Sequence, residues 1–164
     1  MYDETFMKRA IEISRAALSS PGTQPFGAVV VKDGAIVGEG LNRSAALLDP
    51  TSHGEVEAIR DACRTLGSLD LTGCELYTSC EPCPLCVAAM AIAGIARLYY
   101  AASLDQAGAA FTGLSKAHRH SIDLDLLRAE AGAPVNARRL PAEQRLDGEA
   151  VAVLREWAVK RTAS

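Results

Sequence analysis

The sequence has no basic surplus. Its 164 residues carry 17 Lys and Arg against 20 Asp and Glu, a formal charge of −3, whereas a chain that neutralises a phosphate backbone ordinarily presents a cationic face. A nucleic-acid partner is therefore not expected, and Lys8-Arg9, His118-Arg119-His120 and Arg138-Arg139 read as solvated surface. Long apolar runs are missing too. The most apolar window, 85–96, is interrupted by Gly94 and is shorter than the ~20 residues that cross a bilayer. The N-terminus, Met1-Tyr2-Asp3-Glu4, opens acidic and lacks a leader pattern, so a cytoplasmic protein without a membrane partner is expected. Aromatic residues are scarce at 5%, with a single tryptophan, Trp157, which reads as packing of the last helix. Cysteine is present in an odd number, five, which suits a reducing compartment better than a secreted disulfide framework. The acceptor pattern Asn42-Arg43-Ser44 then carries no glycan expectation.

What is present is an ordinary globular composition, 49% hydrophobic and 23% charged. A chain of this length folds without a metal or disulfide staple, so metal-ligating residues in it point to chemistry. No repeat or linker divides the sequence, and one domain spanning 1–164 is expected. Apolar spacing predicts a helix over 3–19, stopped by Ser20-Pro21-Gly22. Valine-rich runs at 26–31 and 35–41 flank Asp33-Gly34, a hairpin turn signal because both turn positions need positive φ. A helix over 52–66, a strand over 74–79, a helix over 84–93 and a strand over 96–102 follow. The signal then weakens to a helix over 121–130, a short strand over 135–140 and a helix over 149–160. Hairpin strands pair antiparallel, while a strand–helix–strand unit returns parallel. The fold class is α/β, a mixed sheet between layers of helices.

Three cysteines crowd Ser79-Cys80-Glu81-Pro82-Cys83-Pro84-Leu85-Cys86. Pro82 and Pro84 suit a helix entry, which puts the Cys83 and Cys86 sulfurs on one face of the first turn. The positive end of the helix favours thiolates there, and thiolates so spaced are good zinc ligands. Upstream, Thr51-Ser52-His53-Gly54-Glu55 opens the preceding helix. His53 supplies a third ligand, and a Cys₂His set with one open position is what a catalytic zinc requires. On a regular helix His53 and Glu55 would face nearly opposite ways, so they converge only at an irregular entry turn. Other readings of these fragments stand beside this one. Ser52-x-x-Glu55 fits a capping box. Cys83 and Cys86 fit a thiol redox pair, in a protein that would need no zinc. Cys80 can be a fourth ligand that closes a non-catalytic zinc site. Cys63, Cys74 and Cys80 otherwise read as small buried residues.

His-x-Glu followed by Pro-Cys-x-x-Cys resembles the pattern of zinc nucleobase deaminases. In 52–59 and 77–86 the sequence is similar to the cytidine-deaminase superfamily, and within it to bacterial guanine deaminases. The likeness extends through 4–10, Pro25-Phe26-Gly27-Ala28-Val29, Asp49-Pro50-Thr51 and Tyr99-Tyr100-Ala101-Ala102. The resemblance implies a three-layer α/β/α cytidine-deaminase-like fold with a mixed five-stranded sheet, and a homodimer. It implies zinc on His53, Cys83 and Cys86. Glu55 is then a catalytic proton shuttle rather than a ligand, and the reaction releases ammonia from a small nucleobase-like ring. Asn42, Phe26 and the Gly54 backbone amide are the implied substrate contacts, although Asn42 also reads as a turn residue and Phe26 as core. Guanine is the leading substrate. The guanine enzymes carry a Phe-Asp-Asp-like stretch after the position of Ala102, where this chain has Ala110-Phe111-Thr112-Gly113. Cytosine, isocytosine, aminotriazines and nucleosides are therefore alternatives, as is adenosine in transfer RNA, which the acidic balance disfavours.

Overall fold

A four-stranded sheet organises the first of two compact units, Met1–Leu127, in a computed structural model that describes residues 1–115 and 122–162. The patch His118-Arg119-His120 and the first residue of the helix predicted over 121–130 lie outside the described residues. The strands are β1 (Gln24–Lys32), β2 (Ala35–Asn42), β3 (Glu75–Cys80) and β4 (Arg97–Ala102), in spatial order β2-β1-β3-β4. β1 runs antiparallel to β2 and β3, and β3 runs parallel to β4. The hairpin closes with Lys32 opposite Ala35, and Asp33 and Gly34 adopt φ of +50° and +77°, the two left-handed positions that a two-residue type I′ turn demands.

Alternation along β1 assigns its two faces. Val29 and Val31, with Tyr77 of β3, pack against Met7 and Ala10 of α1 (Glu4–Arg15). Ala28 and Val30, with Leu76, pack against Ala58 and Ala62 of α3 (Gly54–Leu66) and Met90 and Ala93 of α4 (Pro84–Ala93). The helices α2 (Ser44–Leu47) and α5 (Leu104–Ala110) are short connectors. The result is the α/β/α layering and mixed sheet expected from the element order. Backbone contact between α3 and β2 is unusually close. A Cβ at Gly38 or Gly40, which share one face of β2, would fall inside contact distance of the α3 backbone at Ala58 or at Gly54.

The sheet has four strands among the described residues, where five were expected. Residues 135–140 do not form a strand. Val135–Ala137 is a 3₁₀ turn after Pro134, and the N–H groups of Arg139 and Leu140 donate to the Glu130 carboxylate. Backbone donors used in this way are lost to a ladder. The second unit, Arg128–Ser164, holds the end of α6 (Leu124–Gly132), this turn, and α7 (Asp147–Thr162). Trp157 is 61% exposed rather than packed in a core, with the Arg161 guanidinium 5.5 Å over its ring.

Tyr77 ties the N-terminus to the sheet. Its fully buried ring lies 5.4 Å from Phe6 and 4.6 Å from Tyr99 by centroid. Its hydroxyl accepts from the Asp3 N–H at 3.2 Å, while the Asp3 carboxylate caps α1 by accepting from Thr5 N at 2.8 Å. Tyr77→Phe keeps the ring and removes that partner. It should cost about 1 kcal/mol, read as a lower urea midpoint with an unchanged m value.

Candidate active site

Two helix entries meet on one side of the sheet. His53 is the N-cap of α3 in extended conformation (φ −80°, ψ 156°), and Glu55 is the second helical residue. This break in helical geometry lets side chains two apart converge. Cys83 is the N-cap of α4 (φ −73°, ψ 168°), Pro84 occupies its first helical position, and Cys86 lies two residues further on. Pro84 has no N–H to lose and its fixed φ starts the helix at that residue. Both helices present their positive ends to the same place, which stabilises thiolates there.

His53 Nδ1 lies 3.5 Å from Cys83 Sγ and 3.4 Å from Cys86 Sγ, and the sulfurs are 3.7 Å apart. For zinc–sulfur bonds of about 2.3 Å and a zinc–nitrogen bond of about 2.0 Å, tetrahedral angles give edges of about 3.8 Å between sulfurs and about 3.5 Å from sulfur to nitrogen. The three atoms are therefore spaced as three ligands of a tetrahedral zinc would be. Among the described residues this group has three members. Cys80 is buried near it but is not one of them, so the closed four-ligand arrangement is not found. Cys74 is buried and Cys63 partly so.

The protons tell the same story. The Cys86 thiol and then His53, by hydrogen bonding, bring Cys83 down to about 4. Cys86, holding the shared proton beside that sulfur and buried, is pushed up. His53 is raised, chiefly by its bond to Cys83. A zinc ion held by these three residues would displace the shared protons and keep both sulfurs as thiolates. Glu55 is 5% exposed, with Oε2 3.4 Å from Cys86 Sγ, and burial raises its carboxyl above the usual range.

Ser52 does not form the capping box that its spacing suggested. The helix begins one residue later, Glu55 turns toward Cys86, and the fully buried Ser52 hydroxyl donates to Glu57 at 3.0 Å. Arg60 binds that same Glu57 oxygen, and lies 3.6 Å from Asp49 and 3.4 Å from Thr51 Oγ1. One guanidinium thus fastens the loop that ends in His53.

A cavity of about 250 Å³ opens over the cluster, lined on its polar side by Gln24, Asn42, Ser44, His53, Glu55 and Glu81. Phe26 lines it too. The register of β1 against β2 is interrupted between Gln24 and Gly27, and a bulge there re-aims the strand's side chains. Leu104, Ile122 and Leu124 form an apolar wall. Asn42 and Phe26 are thus in the cavity. Gly54 is buried beneath it and is not among the lining residues; a Cβ there would press on the Phe26 carbonyl. Gln24, Ser44 and Glu81 were not anticipated. Ser44 had a signal, because an Asn accepting from the backbone two residues on is a common turn. Gln24 had none, since its place in the cavity comes from pairing with Asn42 across the hairpin.

Residues 1–102 match the family described as the cytidine and deoxycytidylate deaminase zinc-binding region. With the three-layer fold and the His-Cys-Cys group, the chain belongs to this family of zinc-dependent deaminases. It is 40% identical to the guanine deaminase of Bacillus subtilis over 158 residues, 96% of this chain and 94% of that one. The X-ray structure of guanine deaminase from that organism superposes with a TM-score of 0.80 at 39% identity, covering 96% of this chain and 94% of the other. A tRNA-specific adenosine deaminase from Agrobacterium fabrum is 37% identical over 146 residues, 87% of this chain and 95% of that one. Among the described residues no helix is long and apolar enough to cross a membrane.

Proposed function

We propose that this chain removes the amino group of a free nucleobase, guanine, by hydrolysis, giving the oxo-heterocycle and ammonia. The observation that carries the substrate is the likeness to guanine deaminase over nearly the whole of both chains, in sequence and in structure. The same likeness supports one catalytic domain over 1–164. His53, Cys83 and Cys86 would hold zinc, which supplies Lewis acidity that makes water nucleophilic near neutral pH. Glu55 is the proton carrier: it takes one proton from the attacking water and passes it to the ring nitrogen, then takes the second from the new C–OH group and hands it to the amino group, which leaves as ammonia. Its burial supports this role, because a carboxyl that is not strongly acidic both holds and releases a proton. Asn42 hydrogen-bonds the ring and Phe26 packs against its face or edge. The Gly54 amide is a further candidate contact.

The second reading is adenosine in transfer RNA, favoured by the similarity to the Agrobacterium enzyme. Among the described residues no Lys or Arg lines the cavity, which supports a neutral free base over a phosphate-bearing substrate. The purified protein should release ammonia from guanine with about one zinc per chain, and chelation should abolish the release. Silence on guanine, cytosine, isocytosine and aminotriazines with conversion of adenosine in transfer RNA would establish the second reading instead.

A homodimer is part of the proposal. α4 has no charged residue, and its outward face (Val87, Ala88, Ala91 and Ile92) is exposed; a helix apolar all round is ordinarily covered. All five cysteines are free, which supports a cytoplasmic location.

A further inference from the structure

Asn42 ends β2 and is 3% exposed, yet only half of its carboxamide is satisfied. Its Oδ1 accepts from the Ser44 backbone N–H at 3.2 Å and from the Ser44 hydroxyl at 3.0 Å. A backbone N–H can only donate, so the amide atom facing it must be the oxygen. The Nδ2 group and its two protons are thereby turned the other way. No acceptor for them is found among the described residues, and Asn42 lines the cavity above Glu55 and the His-Cys-Cys group. A buried amide donor without a partner is unfavourable, and the cavity is where a partner can arrive. The alternative acceptor for the Ser44 hydroxyl is the Ser52 carbonyl, which lies further off at 3.3 Å and already takes the Arg43 N–H at 3.0 Å.

We propose that Ser44 is a positioning residue that holds Asn42 with its donors toward the cavity, so that the site takes rings presenting a carbonyl oxygen or an unprotonated nitrogen at that wall and disfavours rings presenting an N–H there. This rests on the reading of the cavity as the substrate site. Ser44 acts through Asn42 and need not touch the ring. The consequence for specificity is a polarity filter. An amide free to rotate accepts either kind of edge; one fixed by two donors from the same residue accepts one.

The test is a double-mutant cycle on the zinc-loaded protein with guanine as probe, joined to an NMR measurement that needs no substrate. Ser44→Ala keeps the backbone N–H and loses the hydroxyl, and should raise KM for guanine by about threefold to tenfold, with the loss falling on KM rather than kcat. Ser44→Thr should restore the wild-type value. Asn42→Ala should raise KM by roughly tenfold or more, and adding Ser44→Ala to it should change nothing further. An equal effect of Ser44→Ala in both backgrounds would overturn the inference. In the ¹⁵N-labelled protein, the Asn42 NH₂ protons should show no close nuclear Overhauser contact to the Ser44 amide proton, because that N–H faces the amide oxygen. A strong contact in the wild type overturns the inference. Failure of the wild type to convert guanine would count against the proposed function alone, since the amide orientation would still be decided by the NMR measurement.

Discussion

Glu55→Gln should lower turnover by about 10²- to 10⁴-fold, the range that a positioned acid–base group contributes, while zinc stays at about one per chain. Glutamine has nearly the shape of the protonated acid, which is the form that burial favours at this position, so the pocket around it need not rearrange. What it cannot do is take a proton and return it. Cys86→Ser is the contrasting variant. Cys86 would be one of the three zinc ligands, 3.4 Å from His53 Nδ1 and 3.7 Å from Cys83 Sγ, and a hydroxyl is a poor substitute for a thiolate on zinc. That variant should lose metal and ammonia release together. The pair separates the two functions by experiment: metal analysis beside an ammonia assay gives metal without turnover for one and neither for the other. If Glu55→Gln stays within tenfold of the wild type, the proton carrier is another group and the proposed mechanism fails.

The difference between what the sequence disclosed and what it hid is one of range. The His-Cys-Cys group was legible because each half is encoded locally. Pro84 fixes where α4 starts, so Cys83 and Cys86 must share its first turn, and His53 and Glu55 flank the start of α3. The hairpin was legible for the same reason, Asp33-Gly34 having few other uses. The cavity wall was not. Gln24 reaches it because β1 and β2 pair in a particular register with an irregularity at Pro25-Phe26, and Ile122 and Leu124 come from far along the chain. The mistaken strand at 135–140 illustrates the same limit. Nothing within that stretch reveals that the Glu130 side chain will occupy the donors of Arg139 and Leu140. The capping box failed by a single residue, because Ser52 found Glu57 instead of the helix amides.

Gly40→Ala, a change of one methyl group, should destabilise the protein by about 3 kcal/mol, the upper part of the usual overpacking range. The added carbon would meet the backbone carbonyl of Gly54 and the backbone nitrogen of Ala58 inside contact distance. Neither obstacle has a rotamer to change, so α3 itself must move off the sheet. That helix begins immediately after His53 and carries Glu55 in its first turn, and α3 against β2 is where Ala58 and Ala62 enter the core. The fold and the site therefore share one joint, and strain at the joint should appear in both. Calorimetry should show a midpoint lower by about 6–12 °C, from ~2–4 °C per kcal/mol in a chain of this size. A chelator competition should show weaker zinc retention than the wild type. Gly148→Ala is the control: it lies in the first turn of α7, where an added Cβ meets nothing within 4 Å, and should be neutral or gain about 0.5–1 kcal/mol. A Gly40→Ala protein with wild-type stability would show that α3 does not rest on β2 through this glycine. A destabilised variant that held zinc as tightly as before would show instead that the position of His53 is set by the Arg60 and Glu57 contacts of its own loop and not by the seating of the helix.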